Sequence, residues 1–173
     1  GFMSNGDEFD PLFWKLSPKE AKLMDPMQRI ILETTWEALE NANIVLESLM
    51  GSQTGVYLGI HASEYGALIS QSNDVDADID EGGLFSLTGS LTNVITGRLS
   101  YVLGLQGPSM AIDTACSSSL VAAHTACQGL RFDECNMSIS GGINLILSPV
   151  GHILLKKSHA LSPKGRCKTF DVD

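Results

Sequence analysis

Cys116 stands in the run Asp113-Thr114-Ala115-Cys116-Ser117-Ser118-Ser119, where its surroundings suggest a chemical role. Ahead of it, Pro108-Ser109-Met110-Ala111-Ile112 predicts a short buried strand. Behind it, Leu120, Ala123, Ala126, Cys127 and Leu130 recur at the three-and-four spacing of an amphipathic helix, with Ser117 or Ser118 as the expected N-cap. Cys116 therefore falls on a tight strand-to-helix turn. This is the layout of a nucleophile elbow, which lifts one reactive side chain off the end of a sheet, with Cys where G-x-S-x-G carries Ser. A cysteine attacks as its thiolate, and the unpaired N–H groups of a first helical turn, together with the positive end of the helix dipole, favour an anion. The same N–H groups can face the oxyanion of a thioester under attack. The plainer alternative is a small core residue, because free cysteine is among the most buried residue types. The turn by itself does not choose between them.

The run D-T-A-C-S-S-S-L also resembles the active-site signature of β-ketoacyl synthases, the Claisen-condensing enzymes of fatty-acid and polyketide assembly. Asp25-Pro26-Met27-Gln28-Arg29, followed by Glu33 and by Trp36-Glu37-Ala38-Leu39-Glu40, is similar to the D-P-Q-Q-R…E…W-E-A-L-E block of multidomain polyketide synthases, with Met27 in place of the usual Gln. Gly97-Arg98-Leu99-Ser100-Tyr101 matches next. Leu161-Ser162-Pro163, Gly165-Arg166-Cys167-Lys168 and Phe170-Asp171 follow in the family's order.

The resemblance covers essentially the whole chain. It implies an α/β thiolase-type layered fold (αβαβα) of which residues 1–173 are the N-terminal half, a partial ketosynthase domain truncated at both ends. The family's first strand and its Gly-containing turn are expected before Gly1-Phe2-Met3, and its two catalytic histidines and a catalytic-site lysine after Asp173. Cys116 is the catalytic residue that the resemblance assigns, accepting an acyl chain from the phosphopantetheine arm of acyl carrier protein as a thioester. That thioester is then condensed with a decarboxylating malonyl-type extender. The segment is expected to bind no cofactor of its own. Implied partners are acyl carrier protein, other polyketide synthase domains, and a second copy in a homodimer paired through Ser109–Ile112. Two other readings stand beside this one, another thiolase-type acyltransferase and a non-catalytic scaffold domain. The Asp25–Arg29 and Gly165–Lys168 blocks speak against a degradative thiolase, and the intact Cys116 signature speaks against lost chemistry.

The elements that must hold Cys116 are legible as patterns. Thr54-Gly55-Val56-Tyr57-Leu58-Gly59-Ile60 predicts a buried strand, and Met137-Ser138-Ile139-Ser140 predicts another that ends at Gly141-Gly142. Ser17 caps a helix opened by Pro18, with Glu20 completing a capping box, and Pro26 ends it by disfavouring helical geometry at Asp25. A longer helix runs from Pro26 to about Asn41. Met27, Ile31, Thr35 and Ala38 form its core face, widened by Leu32, Trp36 and Leu39; Arg29, Glu33, Glu37 and Glu40 lie opposite. Gly82-Gly83 and Gly89 predict a flexible passage into a helix over 92–102 that presents Val94, Ile95, Leu99 and Val102. A last helix begins at Pro149 and runs to about Ser158. Alternating strands and helices argue for an α/β layered core, which alternation alone does not separate from a doubly wound sheet.

Composition narrows the function classes. Twenty acidic against eleven basic residues give a net charge of −9, which disfavours nucleic acid, since phosphate binding depends on Lys and Arg. The cations at Lys156, Lys157, Lys164, Arg166 and Lys168 read as a solvated helix end and loop rather than a patch for an acidic partner. The four cysteines, at 116, 127, 135 and 167, form no C-x-x-C pair, so neither a disulfide framework nor a zinc site is expected, and a reducing cytoplasm fits. No apolar run reaches the roughly 18 residues of a membrane span. Asp74, Asp76, Asp78, Asp80 and Glu81 resemble a calcium loop only superficially, because Ile79 and Phe85 stand where the EF-hand needs Gly and Glu. His61 ends the first strand with no partner nearby in sequence, and a structural or exposed role is expected for it.

Overall fold

In the computed structural model, Met3, residues 6–71 and residues 82–172 are described. The acidic run Asp74 to Glu81 lies outside the described residues, as do Gly1 and Phe2. The chain folds as α1 (Pro18–Leu23), α2 (Pro26–Asn41), β1 (Thr54–Ile60), α3 (Tyr65–Gln71), α4 (Gly82–Ser90), α5 (Thr92–Leu103), β2 (Ser109–Ile112), α6 (Ser118–Arg131), β3 (Met137–Ile143) and α7 (Val150–Lys157). Single 3-10 turns occur at Leu46–Leu49 and Ala115–Ser117.

The helix starts follow the cap chemistry. Ser17 accepts from the Glu20 N–H at 3.0 Å, and Pro18 occupies the first helical position. Asp25, held extended before Pro26, accepts from the Met27 N–H at 2.7 Å and so caps α2. Gly82-Gly83, expected to be a flexible passage, instead opens α4. α4 packs against α1 and α3, and such tertiary contacts override the glycine penalty of about 1 kcal/mol per residue.

The three strands form a parallel sheet in the order β2-β1-β3, with Gly59 opposite both Ile112 and Gly142. β1 is buried along its entire length, as its unbroken apolar pattern predicts for a central parallel strand. Its residues alternate between two cores. Val56, Leu58 and Ile60 join Met27, Ile31, Leu32, Ile95, Leu99 and Leu103 beneath α2 and α5, while Tyr57 packs with Ala122, Ala126 and Cys135 beneath α6. The sheet is thus covered by α2 and α5 on one face and by α6 on the other.

Three elements depart from their sequence patterns. β2 is not buried: Ser109, Met110 and Ala111 are exposed, and the strand forms an edge of the sheet among the described residues. β3 does not end at Gly141-Gly142 but runs through the pair to Ile143. Ala38 faces solvent, leaving Pro26, Met27, Gln28, Ile31, Leu32, Thr35 and Leu39 as the buried residues of α2.

The largest departure is in α6, where the buried residues are Ser118, Ala122, Ala126 and Gly129, whereas Leu120 is 75% exposed and Cys127 and Leu130 also face outward. Close approach explains the inversion. A Cβ added at Gly59 would lie 2.6 Å from the Ser118 carbonyl carbon, and one at Gly129 would lie 2.3 Å from the Tyr57 hydroxyl. Only small residues fit between a helix and a sheet this close, so the long side chains are turned away.

A buried polar network accounts for Asp25 and Gln28 of the Asp25–Arg29 block. Asp25 accepts from the Ser63 hydroxyl, and its N–H donates to the Gly89 carbonyl at 3.0 Å. Burial pushes the Asp25 carboxyl up, and the Ser63 and Met27 bonds partly offset this. Gln28 donates to the carbonyls of Thr88 and Gly89, both at 2.9 Å, and accepts from Arg98 Nε at 2.8 Å. Arg98 also pairs with Glu20 at 2.6 Å. One amide thereby joins α2, α4 and α5. Gln28→Ala takes a donor from the Thr88 carbonyl and an acceptor from the Arg98 guanidinium, while the Gly89 carbonyl keeps the Asp25 N–H, and it should lower stability by roughly 2–3 kcal/mol. The urea midpoint measures this, and a wild-type midpoint would refute it.

Candidate active site

Cys116 sits in the 3-10 turn Ala115–Ser117 between β2 and α6, exposed to solvent. Ala115 occupies the left-handed region at φ 55°, a conformation that costs a non-glycine residue roughly 1–2 kcal/mol. Local bonds hold it there. Asp113 Oδ1 accepts from the Ala115 N–H at 3.0 Å, and Ser118 Oγ accepts from the Thr114 N–H at 2.8 Å while donating to the Ala115 carbonyl at 2.7 Å. Ser117 Oγ donates to the Thr114 carbonyl at 2.8 Å. Ser117 is the N-cap residue of α6, as expected, but neither serine caps the helix through its side chain. The chain begins to wind a turn earlier, at Ala115, so both hydroxyls close the turn backwards.

The site forms where the carboxyl ends of the three parallel strands meet, the edge at which α/β sheets usually place their ligands. An open cavity of about 550 Å³ is lined there by Gly59, His61, Cys116, Gly142, Asn144 and Leu155 among others. A Cβ at Gly142 would lie 2.9 Å from that of Ser119, so glycines on two adjacent strands admit the start of α6.

His61, which has no partner nearby in sequence, has one in space: its Nδ1 lies 2.9 Å from Asp113 Oδ2. Asp113 belongs to the cysteine's own signature. The Ala115 N–H, and after it the His61 ring, hold the Asp113 carboxyl below its usual range, so it accepts and Nδ1 donates. Sequence proximity carries no sign of this pair, whose members are 52 residues apart. The register does, because Gly59 beside Ile112 brings the residues just past both strand ends together.

Glu64 is a second residue that the sequence pattern does not single out. Its carboxylate accepts from the Leu147 and Ser148 N–H groups at 2.9 and 3.0 Å and from the Ser148 hydroxyl at 2.8 Å. It thereby clamps the loop that leads from β3 to α7, and with it the cavity's Asn144 and Leu155. The Ser148 hydroxyl, followed by the Leu147 N–H, lowers the Glu64 pKa. A lowered carboxylate pKa stabilises the clamp above the unfolded value, and that contribution is lost as pH falls through the folded one. The amide resonances of Leu147 and Ser148 should therefore titrate with a midpoint below the ordinary 4.5 of glutamate. A midpoint at or above that value would refute the clamp.

The other cysteines are dispersed. Cys135 is buried, Cys167 is exposed, and Cys127 is exposed where its place on the apolar stripe predicts burial, as a consequence of the rotation of α6. Among the described residues no cluster of His, Cys, Asp and Glu could hold a metal ion, and no helix is long and apolar enough to cross a membrane.

Comparison with known proteins adds identity to this geometry. Residues 1–173 match the family model described as the N-terminal domain of β-ketoacyl synthase. The chain is 48% identical over 171 residues to a phenolphthiocerol/phthiocerol polyketide synthase of Mycobacterium tuberculosis, covering 99% of the chain and 9% of that protein. To a phenolphthiocerol/phthiocerol polyketide synthase of Mycobacterium bovis it is 47% identical over 174 residues, covering 100% of the chain and again 9% of the relative's length.

Among solved structures, the ketosynthase from module 6 of the bacillaene synthase of Bacillus subtilis 168 superposes with a TM-score of 0.83 at 38% identity, covering 97% of this chain and 27% of that one. An oxazolomycin ketosynthase domain of Streptomyces albus JA3453 gives 0.82 at 35% identity, covering 98% and 29%. These neighbours share the α/β thiolase-type fold expected from the motifs. With the whole chain matched, the motifs in family order and the fold in common, the chain belongs to the β-ketoacyl synthase family, where it corresponds to the N-terminal domain.

Proposed function

We propose that this chain is the nucleophile-bearing half of a polyketide synthase ketosynthase, and that Cys116 takes an acyl group from the phosphopantetheine thioester of acyl carrier protein. The thiolate would attack the thioester carbonyl and expel the pantetheine sulfur as a thiolate, leaving the acyl group on the cysteine sulfur while the malonyl-type extender arrives. The observation that carries this reading is the placing of Cys116, exposed on the turn that feeds α6 and lining the cavity at the carboxyl edge of the sheet. First-turn N–H groups of α6 suit the oxyanion of that attack.

Groups that receive the charge developed on decarboxylation belong, in this proposal, to the family's C-terminal half. Residues 1–173 alone then load but do not condense. That half would also cover the outward face of α6, where Leu120, Leu130 and the following Phe132 are exposed. Acyl carrier protein, the other domains of a polyketide synthase and a second copy of the chain are the proposed partners, in the cytoplasm. The edge strand β2 supports pairing across a two-fold axis, since isologous pairing closes an open strand edge. Incubating the intact synthase with an acyl carrier thioester and mapping its peptides by mass tests the loading step. Acyl mass on the Cys116 peptide is the expected result, and acyl mass only elsewhere would overturn the proposal.

A further inference from the structure

The turn that presents Cys116 is held almost wholly from within. Its side-chain bonds, from Asp113 Oδ1, Ser117 Oγ and Ser118 Oγ, all close on residues no more than four positions away. Among the described residues, the bond from His61 Nδ1 to Asp113 Oδ2 is the one side-chain hydrogen bond that joins this turn to an element other than α6, whose first residue Ser118 closes the turn. His61 directly follows β1, the buried middle strand bonded on both sides, whereas Asp113 directly follows the short edge strand β2. The two oxygens of Asp113 thus have separate tasks, one fixing the left-handed Ala115 from inside and the other receiving the ring anchored on the rigid strand. His61 and Cys116 also line the same cavity.

We propose that His61 is a positioning residue for Cys116, its Nδ1–H bond to Asp113 tying the nucleophile's turn to the central strand and fixing the thiol's direction of attack. This rests on the reading of Cys116 as the acyl acceptor. Without the tie, the turn keeps its local bonds but can pivot about the end of β2. A pivot that misplaces the sulfur by about 1 Å is enough to slow an oriented attack by as much as roughly 100-fold.

The experiment uses the full-length protein and three variants. His61→Asn keeps an N–H donor near the place of Nδ1, His61→Gln puts its amide nearer the place of Nε2, and His61→Ala removes the ring. Acyl loading from a carrier thioester should slow roughly 10- to 100-fold in His61→Ala and His61→Gln, with an unchanged melting temperature, and should return close to the wild-type rate in His61→Asn. The rate of Cys116 alkylation by iodoacetamide should follow the same order. A loss in His61→Ala that Asn does not restore would assign the effect to the other ring nitrogen and overturn the proposal. So would wild-type rates in all three variants. The alkylation arm separates this failure from that of the function itself: if Cys116→Ala still loads acyl groups, the acceptor reading falls, while the ordering of alkylation rates still decides whether His61 positions the thiol.

Discussion

Cys116→Ala is expected to lower acyl loading by roughly 1,000-fold or more, because under the proposed function it removes the atom that would take the acyl group and leaves no substitute thiol on the turn. The remaining thiols decide whether that loss is specific. Cys135 is buried beside Tyr57, its sulfur 3.9 Å from the phenol oxygen, and reagents do not reach it. Cys127 is exposed but projects from the body of α6, away from the cavity lining. Cys167 is the stronger competitor, because it is exposed in a loop. Cys116 alone combines exposure with a cavity and a helix start. Limiting iodoacetamide near neutral pH should therefore label Cys116 first, prior acyl loading should protect it, and Cys167→Ala should load normally. Loading that survives in Cys116→Ala and disappears in Cys167→Ala would transfer the role to the other thiol.

What is legible in the sequence and what is hidden divide along physical lines. Local chemistry is legible: Ser17, Pro18 and Pro26 mark the ends of α1 and the start of α2, and the unbroken apolar pattern of Thr54–Ile60 marks the central strand at its true bounds. The strand-to-helix turn at Cys116 is legible for the same reason. Pattern fails where an element's environment, and not its own period, sets its face. Leu120, Cys127 and Leu130 mark a helical stripe correctly but not the side that meets the sheet, which is chosen by glycines at 59 and 142 in other elements. The pairs His61–Asp113 and Glu64–Ser148 are hidden because their members are brought together only by the parallel register and by the loops that leave its carboxyl edge.

Gly59→Ala carries the second large effect, and it links that close packing to the chemistry. The added methyl would lie 2.6 Å from both the Ser118 carbonyl carbon and the Ser119 nitrogen, and 2.9 Å from the Ser119 Cα. All three are backbone atoms, so no side chain can swing aside. β1 cannot yield, because it is buried and bonded on both edges. The start of α6 must lift instead, and it carries the turn that holds Cys116. Overpacking of this kind costs typically 1–3 kcal/mol, and three close backbone contacts put Gly59→Ala at about 3 kcal/mol. Gly142→Ala meets the Ser119 Cβ at 2.9 Å and the Gly59 carbonyl oxygen at 3.2 Å, a smaller obstruction. Gly141→Ala meets only Leu58 Cδ2 at 3.8 Å, an ordinary contact. Stability should therefore fall in the order Gly141→Ala, Gly142→Ala, Gly59→Ala. Loading per folded molecule should fall in the same order, because the displaced element is the one that aims the sulfur. A Gly59→Ala protein with the melting temperature and loading rate of Gly141→Ala would show that α6 does not depend on this contact for its position.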